Sequence, residues 1–317
     1  MSIARFFLGF PRRWALIFTL LFAGGGALAQ TAVPDPDFDV SVNKPTYIQK
    51  HPLIVIDEAH NNYHTAEGRY RPLAQLLRND GYDVEPGTGK FEAAGLSHVQ
   101  VLVVANALGG EDREAPKPAF TSAECDAVRD WVRGGGALLL IADHAPFGSA
   151  AYDLADRFGV QMGKGFVFDR QNSYGDPTIL VFSLENGLLG KHPVTLGRND
   201  TERVKRVVAF TGQSLSVPPG ATALMRLSPS AYEAASYAEG KAGNPDASHS
   251  LGERAQGIAM EFGKGRAIMV GEAAMFSAQR MSSKSGAPDF RFGMNASGND
   301  DRQFALNALH WLSSELR

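Results

Sequence analysis

Three runs, Leu53-Ile54-Val55-Ile56, Val101-Leu102-Val103-Val104-Ala105 and Ala137 to Ala142, are apolar at every position. Each has the length of a strand, and a strand with no polar side is covered on both faces. Between these runs the period changes. Tyr70, Leu73, Leu76 and Leu77 recur at helical spacing in a predicted helix from about Thr65 to Asn79, which stops before Gly81. Thr121-Ser122-Ala123-Glu124 is a capping box opening a second helix through Val128, Trp131 and Val132, closed by Gly134-Gly135-Gly136. Buried strands alternating with amphipathic helices predict an α/β chain with a mainly parallel sheet and helices on both sides. Such a sheet binds ligands beyond the carboxyl ends of its strands.

Residues 30 to 50, with Pro34, Pro36 and Pro45, read as an extended lead-in. Farther on, Arg206 to Phe210 and Ala223 to Leu227 read as strands, and Glu239 to Arg254 as a polar loop. Gly257 to Phe262 and Arg266 to Val270 flank a turn at Gly263-Lys264-Gly265, and a final helix runs from about Asp300 to Leu316. With no repeat and no linker between cores, residues 51 to 317 are expected to form one domain with an elaborated middle region. Ahead of it, Arg5, Arg12 and Arg13 precede the apolar run Trp14 to Ala23 and the small-residue site Ala27-Leu28-Ala29. This is the pattern of a Sec-type signal peptide over residues 1 to 29, cleaved after Ala29, and it predicts a periplasmic or secreted protein. The run is short for a membrane span and no lipidation cysteine follows it, so no stable membrane anchor is expected after cleavage.

Composition narrows the chemistry. The 317 residues are 44% hydrophobic and 21% charged, as in a globular protein, and the formal net charge of -3 offers no excess of cations for a nucleic-acid backbone. Nucleic acid is therefore not an expected partner. The single cysteine, Cys125, forms no internal disulfide and supplies no thiolate cluster, so a metal here needs nitrogen and oxygen ligands. Its place on the apolar stripe of a helix is that of a buried structural thiol.

Polar residues collect where the apolar runs end. The first is followed by Asp57-Glu58-Ala59-His60-Asn61-Asn62-Tyr63-His64, the second by Asn106, the third by Asp143-His144, and the late strand by Gly271-Glu272. In a parallel sheet those ends lie side by side. Asp57, His60, His64, Asp143 and His144 are thus candidate ligands for a divalent metal, zinc or manganese, with Glu272 a further candidate. A metal-free version uses Glu58 or Glu272 as general base, with His144 as acid or oxyanion stabiliser. The alternative is that His60 and Asp57 cap a helix and pair with their neighbours. Asn106 is a candidate substrate contact, and so are Asn295 and Asn299, which precede the last helix; the alternative there is a helix cap with Asn299 or Asp300 at the cap position. Asp57 to His60 spells a helicase box, yet Val84 stands where a phosphate loop needs glycine; His60 and His64 have a zinc-protease spacing, yet Asn61 stands where its glutamate should be. Ser149 lacks the Gly-x-Ser-x-Gly elbow of a serine nucleophile.

Val128 to Gly136 leading into Leu140-Ile141-Ala142-Asp143-His144, then His192-Pro193-Val194-Thr195, Gly265 to Glu272 and the Phe304 to Leu312 helix together resemble the class I glutamine amidotransferase-like superfamily. The likeness is to its non-amidotransferase branches, the ThuA-like proteins and uncharacterised exported relatives. It implies a flavodoxin-like three-layer α/β sandwich and marks His144 as the position matching the histidine after the glycine-rich turn and strand of ThuA-like proteins. True amidotransferases carry a nucleophilic cysteine at a strand-to-helix turn, and no strand end here has one, which excludes glutamine hydrolysis through a thioester. The expected function is an exported hydrolase, with or without a metal, acting on a small polar substrate such as a carbohydrate or amide at the carboxyl ends of the strands. The rival is a non-catalytic binding module of the same fold that holds a glycan or a protein partner.

Overall fold

A computed structural model describes residues 32–110, 117–243, 251–282 and 289–317; the predicted signal peptide and residues 244–250 of the predicted polar loop lie outside the described residues. In chain order the elements begin with β1 (Val33–Pro34), β2 (Leu53–Asp57), α1 (Arg71–Asn79), β3 (Asp83–Gly87), α2 (Ala93–Leu96), β4 (Val101–Ala105), α3 (Ser122–Gly134), β5 (Ala137–Ile141) and α4 (Phe147–Asp156). The middle region adds β6 (Phe166–Phe168), β7 (Ser173–Tyr174), β8 (Asp176–Ser183), α5 (Pro193–Leu196), β9 (Arg206–Phe210), β10 (Thr222–Arg226), β11 (Tyr232–Ala234) and α6 (Tyr237–Ala242). The chain closes with β12 (Ala255–Phe262), β13 (Gly265–Val270), a 3-10 turn at Ala274–Phe276, β14 (Ala278–Met281), β15 (Phe290–Gly293) and α7 (Asp301–Leu312).

The organising element is a seven-stranded sheet in the order β10-β12-β13-β5-β4-β2-β3. From β13 to β3 every pairing is parallel, while β12 and β10 run antiparallel at one edge. Side chains alternate across a strand, so the continuous apolar runs feed two cores. Ile54, Ile56, Val101, Val103, Ile268 and Val270 pack with α1 and α7. Leu102, Val104, Leu138, Leu140 and Met269 face the other way, onto α3 and α4. The mainly parallel α/β architecture expected from the sequence is present, and three small antiparallel sheets, β1-β14-β15, β11-β6 and β7-β8-β9, surround it. No helix among the described residues is long and apolar enough to cross a membrane.

Some boundaries differ from expectation for local reasons. The first helix begins at Arg71 rather than Thr65, because residues 65–70 form a turn in which the Tyr70 amide bonds back to the Thr65 carbonyl, and Pro72 fits only the first helical turn. The lead-in is not wholly extended lead: Val33–Pro34 pairs with β14. The start of the expected polar loop is instead helical, as part of α6, which Ser236 caps by accepting the Glu239 amide at 3.2 Å. The capping box of α3 forms as expected, with the Thr121 and Glu124 side chains each accepting the other's backbone amide.

Register sets which residues meet at the carboxyl edge. Ala105 and Val270 both stand opposite Ile141. The ladder then continues one residue beyond the strands: the Asn106 amide donates to Ile141, Ala142 to Val270 and Gly271 to Gln256, at 2.9, 3.0 and 2.8 Å. Asn106, Ala142, Gly271 and Gln256 therefore form one row across four strands, and Asp143 and Glu272 rise from the next.

Candidate functional site

At the end of β2 the polar groups close on themselves. His60 Nδ1 lies 2.9 Å from both carboxylate oxygens of Asp57, and Nε2 lies 3.1 Å from Oε1 of Glu124 on α3. Carboxylates only accept, so both ring nitrogens donate and His60 is an imidazolium. Burial by itself would lower the His60 pKa, but the hydrogen bonds and charges of Asp57 and then Glu124 outweigh it and raise the pKa. Glu124 is likewise opposed by burial, yet its bonds to Thr121 and His60 hold it down at about 2. Phe91 and Phe120 pack on the imidazole at 4.5 and 4.8 Å. Asp57 and His60, expected as metal ligands, are thus the pair of the alternative reading, with a third member on another helix. Glu58, a candidate base, is occupied in accepting the Ala66 amide at 2.8 Å.

One strand pair over, the arrangement is different in kind. The Asp143 amide donates to the Asn106 side-chain oxygen at 2.9 Å, and the Asp143 carboxylate accepts the His144 amide at 2.7 Å and the amide of Ala273. Glu272 is wholly buried, and its two oxygens accept the amides of Ala274 and Met275 at 2.6 and 2.8 Å, opening the 3-10 turn. The neighbouring His144 is the charge that opposes burial at Asp143, and among the described residues no lysine or arginine forms an ion pair with either acid. Burial raises the Asp143 pKa, and burial together with the Asp143 charge pushes Glu272 well above the ordinary glutamate value. Like charges so placed resist ionising together, and Glu272, the more deeply buried, is the one pushed further towards its protonated form. Tyr70 stays protonated beside them, its pKa raised first by burial and then by both acids, and its hydroxyl donates to the Ala273 carbonyl at 3.0 Å.

His144 stands at the outer lip. Its Nδ1 lies 2.7 Å from the Ala145 carbonyl, which only accepts, so Nδ1 carries a proton and donates it there, while Nε2 takes no part in that bond. The ring stacks on Phe166 at 4.5 Å. His64 comes from the loop after β2 and lies against Tyr70, ring centres 4.7 Å apart, while Tyr63 lies over Phe147 at 6.0 Å. The rim around the acid pair is therefore aromatic.

A strap, Thr211 to Leu215, crosses the edge above β5 and β13. The Gln213 amide donates to Gly271 at 2.8 Å, its side-chain Nε2 to the Ala142 carbonyl at 2.6 Å, and Leu215 bonds to Ala255 at 2.7 Å. Glycine is required where the strap touches the sheet: a Cβ on Gly271 would come within 2.4 Å of the Gln213 carbonyl, and one on Gly212 within 2.4 Å of Gln256 Nε2.

Of the expected site residues, the fold brings Asn106, Asp143, His144 and Glu272 to one place, with His64 reaching it through Tyr70. Asn295 instead bonds Asp35 at 2.8 Å and the Gln279 carbonyl at 3.1 Å, and Asn299 bonds the Gly293 carbonyl at 3.1 Å and accepts the Asp301 amide at 3.0 Å. These are the capping and bracing roles that the sequence allowed as their alternative. Among the described residues no group of three or more His, Cys, Asp or Glu side chains is placed to hold a metal ion. Both His60 nitrogens are committed to carboxylates, so His60 is not free to ligate a metal in this arrangement. Cys125 is buried, and burial pushes its thiol up to about 11, as befits a structural residue. Sequence reasoning missed Tyr70, which reads as one more position of an apolar stripe, and Gln213 and Gln256, which carry no motif.

No protein-family model matches the chain, and no curated protein matches it. Solved structures do. One described as "mmIFT52 N-terminal domain" superposes with a TM-score of 0.57 at 15% identity, over 83% of this chain and 97% of that one. At that identity the likeness is one of fold. ThuA-like proteins from Bacteroides uniformis ATCC 8492 and Parabacteroides merdae ATCC 43184 also match, with TM-scores of 0.41 and 0.43 and identities of 14% and 12%. They cover 87% and 84% of this chain and 95% and 91% of their own.

Proposed function

We propose that the chain is an exported hydrolase whose reaction centre is the Asp143–Glu272 pair, acting on a small polar substrate, a carbohydrate or an amide, in a flavodoxin-like three-layer domain over residues 51–317. The observation that carries this reading is two buried acids at the carboxyl edge of a parallel sheet with no lysine or arginine paired to them among the described residues, an arrangement that costs stability and is retained where its proton is used. The N-terminal run Trp14 to Ala23 supports export.

The protonation states assign the roles. In its neutral form His144, with Nδ1 held by the Ala145 carbonyl, carries its lone pair on Nε2, which takes a proton from water as the water oxygen attacks the substrate carbon. The proton held by the pair passes through Asp143, the member that is 8% exposed, to the leaving group. His144 then returns its proton to the pair, which closes the cycle without a co-reactant. Glu272 stores the proton rather than touching substrate, and Asn106 and Tyr70 fix the acids in place. Against expectation, Glu272 is the acid's reservoir and His144 the base.

The test is a panel of esters, amides and glycosides with the wild-type protein and with Asp143→Asn and His144→Ala. Turnover of one class, lost at least about 100-fold in each folded variant, is the expected result; turnover that survives both substitutions overturns the reading. The aromatic rim of Tyr63, Phe147 and Phe166 equally suits a binding module, which the same panel distinguishes as binding without turnover.

A further inference from the structure

Strand β11 pairs with β6, Glu233 standing opposite Val167 and Ala234 opposite Phe166. Such pairing is made by the backbone and needs no carboxylate, yet Glu233 places one where two other segments meet. Its Oε1 accepts the Gly165 amide at 2.9 Å, and its Oε2 accepts the hydroxyl of Ser214, on the strap, at 2.5 Å. Arg254 completes the set by donating to the Ser214 hydroxyl oxygen at 2.7 Å and to the Ser214 carbonyl at 3.1 Å. Glycine keeps the space open: a Cβ on Gly163 would stand 2.2 Å from Oε1 of Glu233 and 2.6 Å from Oε2. The Gly163 amide itself donates to the Ser214 carbonyl at 2.7 Å.

From Gly165 the contacts run to His144 in two short steps. The Gly165 carbonyl accepts the Ala145 amide at 3.2 Å, and the Ala145 carbonyl accepts His144 Nδ1 at 2.7 Å. Phe166, the residue after Gly165, stacks on the imidazole with ring centres 4.5 Å apart and planes 17° from parallel. One edge of the ring and one face of it are therefore set by backbone next to the Glu233 contact. Gly165 lies just ahead of β6, so this charge-assisted bond, the stronger kind, extends the hold of the ribbon by one residue towards His144.

We propose that Glu233 is a positioning residue for His144. It touches no substrate. It fixes the Gly165 and Ala145 backbone that keeps the proton on Nδ1, and so leaves Nε2 of the neutral ring to act on water. The effect on turnover rests on the reading of His144 as the base, whereas the hold on the tautomer is read without a substrate.

The test uses the full chain in solution. Long-range proton–nitrogen spectra of the His144 ring, recorded on the alkaline side of its titration, are expected to show mainly the Nδ1–H tautomer in the wild-type protein; an Nε2–H ring overturns the proposal. In Glu233→Ala the Nδ1–H share is expected to fall at least about twofold, and Glu233→Gln, which keeps an oxygen for the Gly165 amide, is expected to restore it. Gly163→Ala makes the same test with Glu233 in place and serves should Glu233→Ala not fold. Its methyl meets the flexible end of the Glu233 side chain and displaces the carboxylate, so the same shift is expected. A folded Glu233→Ala or Gly163→Ala protein whose tautomer matches the wild type overturns the positioning role. On a substrate found by the panel, kcat in Glu233→Ala is expected to fall about tenfold with KM held within about twofold. Lost stability with unaltered kcat and tautomer marks a brace for β6 alone and overturns the inference. Turnover that survives His144→Ala removes the catalytic reading, while a shifted tautomer in Glu233→Ala leaves the hold on the ring standing. Turnover lost in His144→Ala with an unmoved tautomer in Glu233→Ala does the reverse.

Discussion

The clusters at the ends of β2 and of β5 and β13 use the same residue types two to three strands apart in one sheet, yet they are built on opposite principles. Around His60 each charge is answered: one imidazolium lies between Asp57 and Glu124, and Glu124's other oxygen is held by Thr121. Around Glu272 like faces like: its own carboxylate is met by two backbone amides, and the charge of His144 eases only Asp143. The first arrangement is what a fold needs to tie a loop to a helix. The second is a liability for a fold and an asset for chemistry, because its protonation is poised rather than settled.

The sharpest way to break this contrast is His60→Ala. Removing the shared cation leaves Asp57 and Glu124 buried and unpaired against Phe91 and Phe120, and breaking a buried pair from one side costs about 3–5 kcal/mol. Urea denaturation near pH 6 should show that loss. The gap should narrow in alkali: a histidine whose pKa is raised in the fold contributes stability that is complete below its ordinary 6.5 and fades as pH climbs through the raised value. It should also narrow in strong acid, where Glu124 protonates as pH falls towards about 2. A variant as stable as the wild type at pH 6 would mean that the triad contributes nothing.

The opposite sign is expected on the other side. Glu272 holds its proton more tightly folded than unfolded, so between the ordinary glutamate value of 4.5 and its raised folded value the native state binds more protons and stability declines with pH. The slope approaches about 1.4 kcal/mol per pH unit for one fully retained proton. Glu272→Gln cannot ionise; it forfeits one accepted amide bond and should flatten the decline, so that its stability curve, measured by melting from pH 5 to 8, crosses or converges on that of the wild type. Parallel curves would show that Glu272 is not the proton holder.

How much of this was readable in the chain follows from which forces act locally. Strands β2, β4, β5 and β13 announce themselves because burial on both faces leaves no polar position to confuse the period, and the α3 capping box is a contact within four residues. The strands β6, β7, β11, β14 and β15 have two to four residues each, too short to show a period, and β6 finds its register only on β11, far along the chain. Helix α4 starts after Pro146 with no side-chain cap and a run of small residues, so no signal marks it. At the site, the acids at strand ends were legible, but their pairing was not. Glu124 reads as a cap and is also the second anchor of His60, while Asp80 meets His310 at 2.6 Å from 230 positions away. Which acid is answered and which is left facing another acid is decided by tertiary approach alone.

Glu58 offers the finest division between the two kinds of acid, since it sits next to Asp57 and was as good a candidate base as Glu272. Its carboxylate accepts the Ala66 amide at 2.8 Å, in the loop that leads on to Tyr70. Glu58→Gln keeps an oxygen for that amide and gives up only the charge on the bond, a loss of about 1 kcal/mol or less. Because Glu58 lies with the answered groups, turnover on whichever substrate the panel reveals should stay within about twofold of wild type, far from the loss set for a general base. A 100-fold fall in kcat in a Glu58→Gln protein of unchanged stability would move the reaction centre to the β2 end and reverse the contrast between the two clusters.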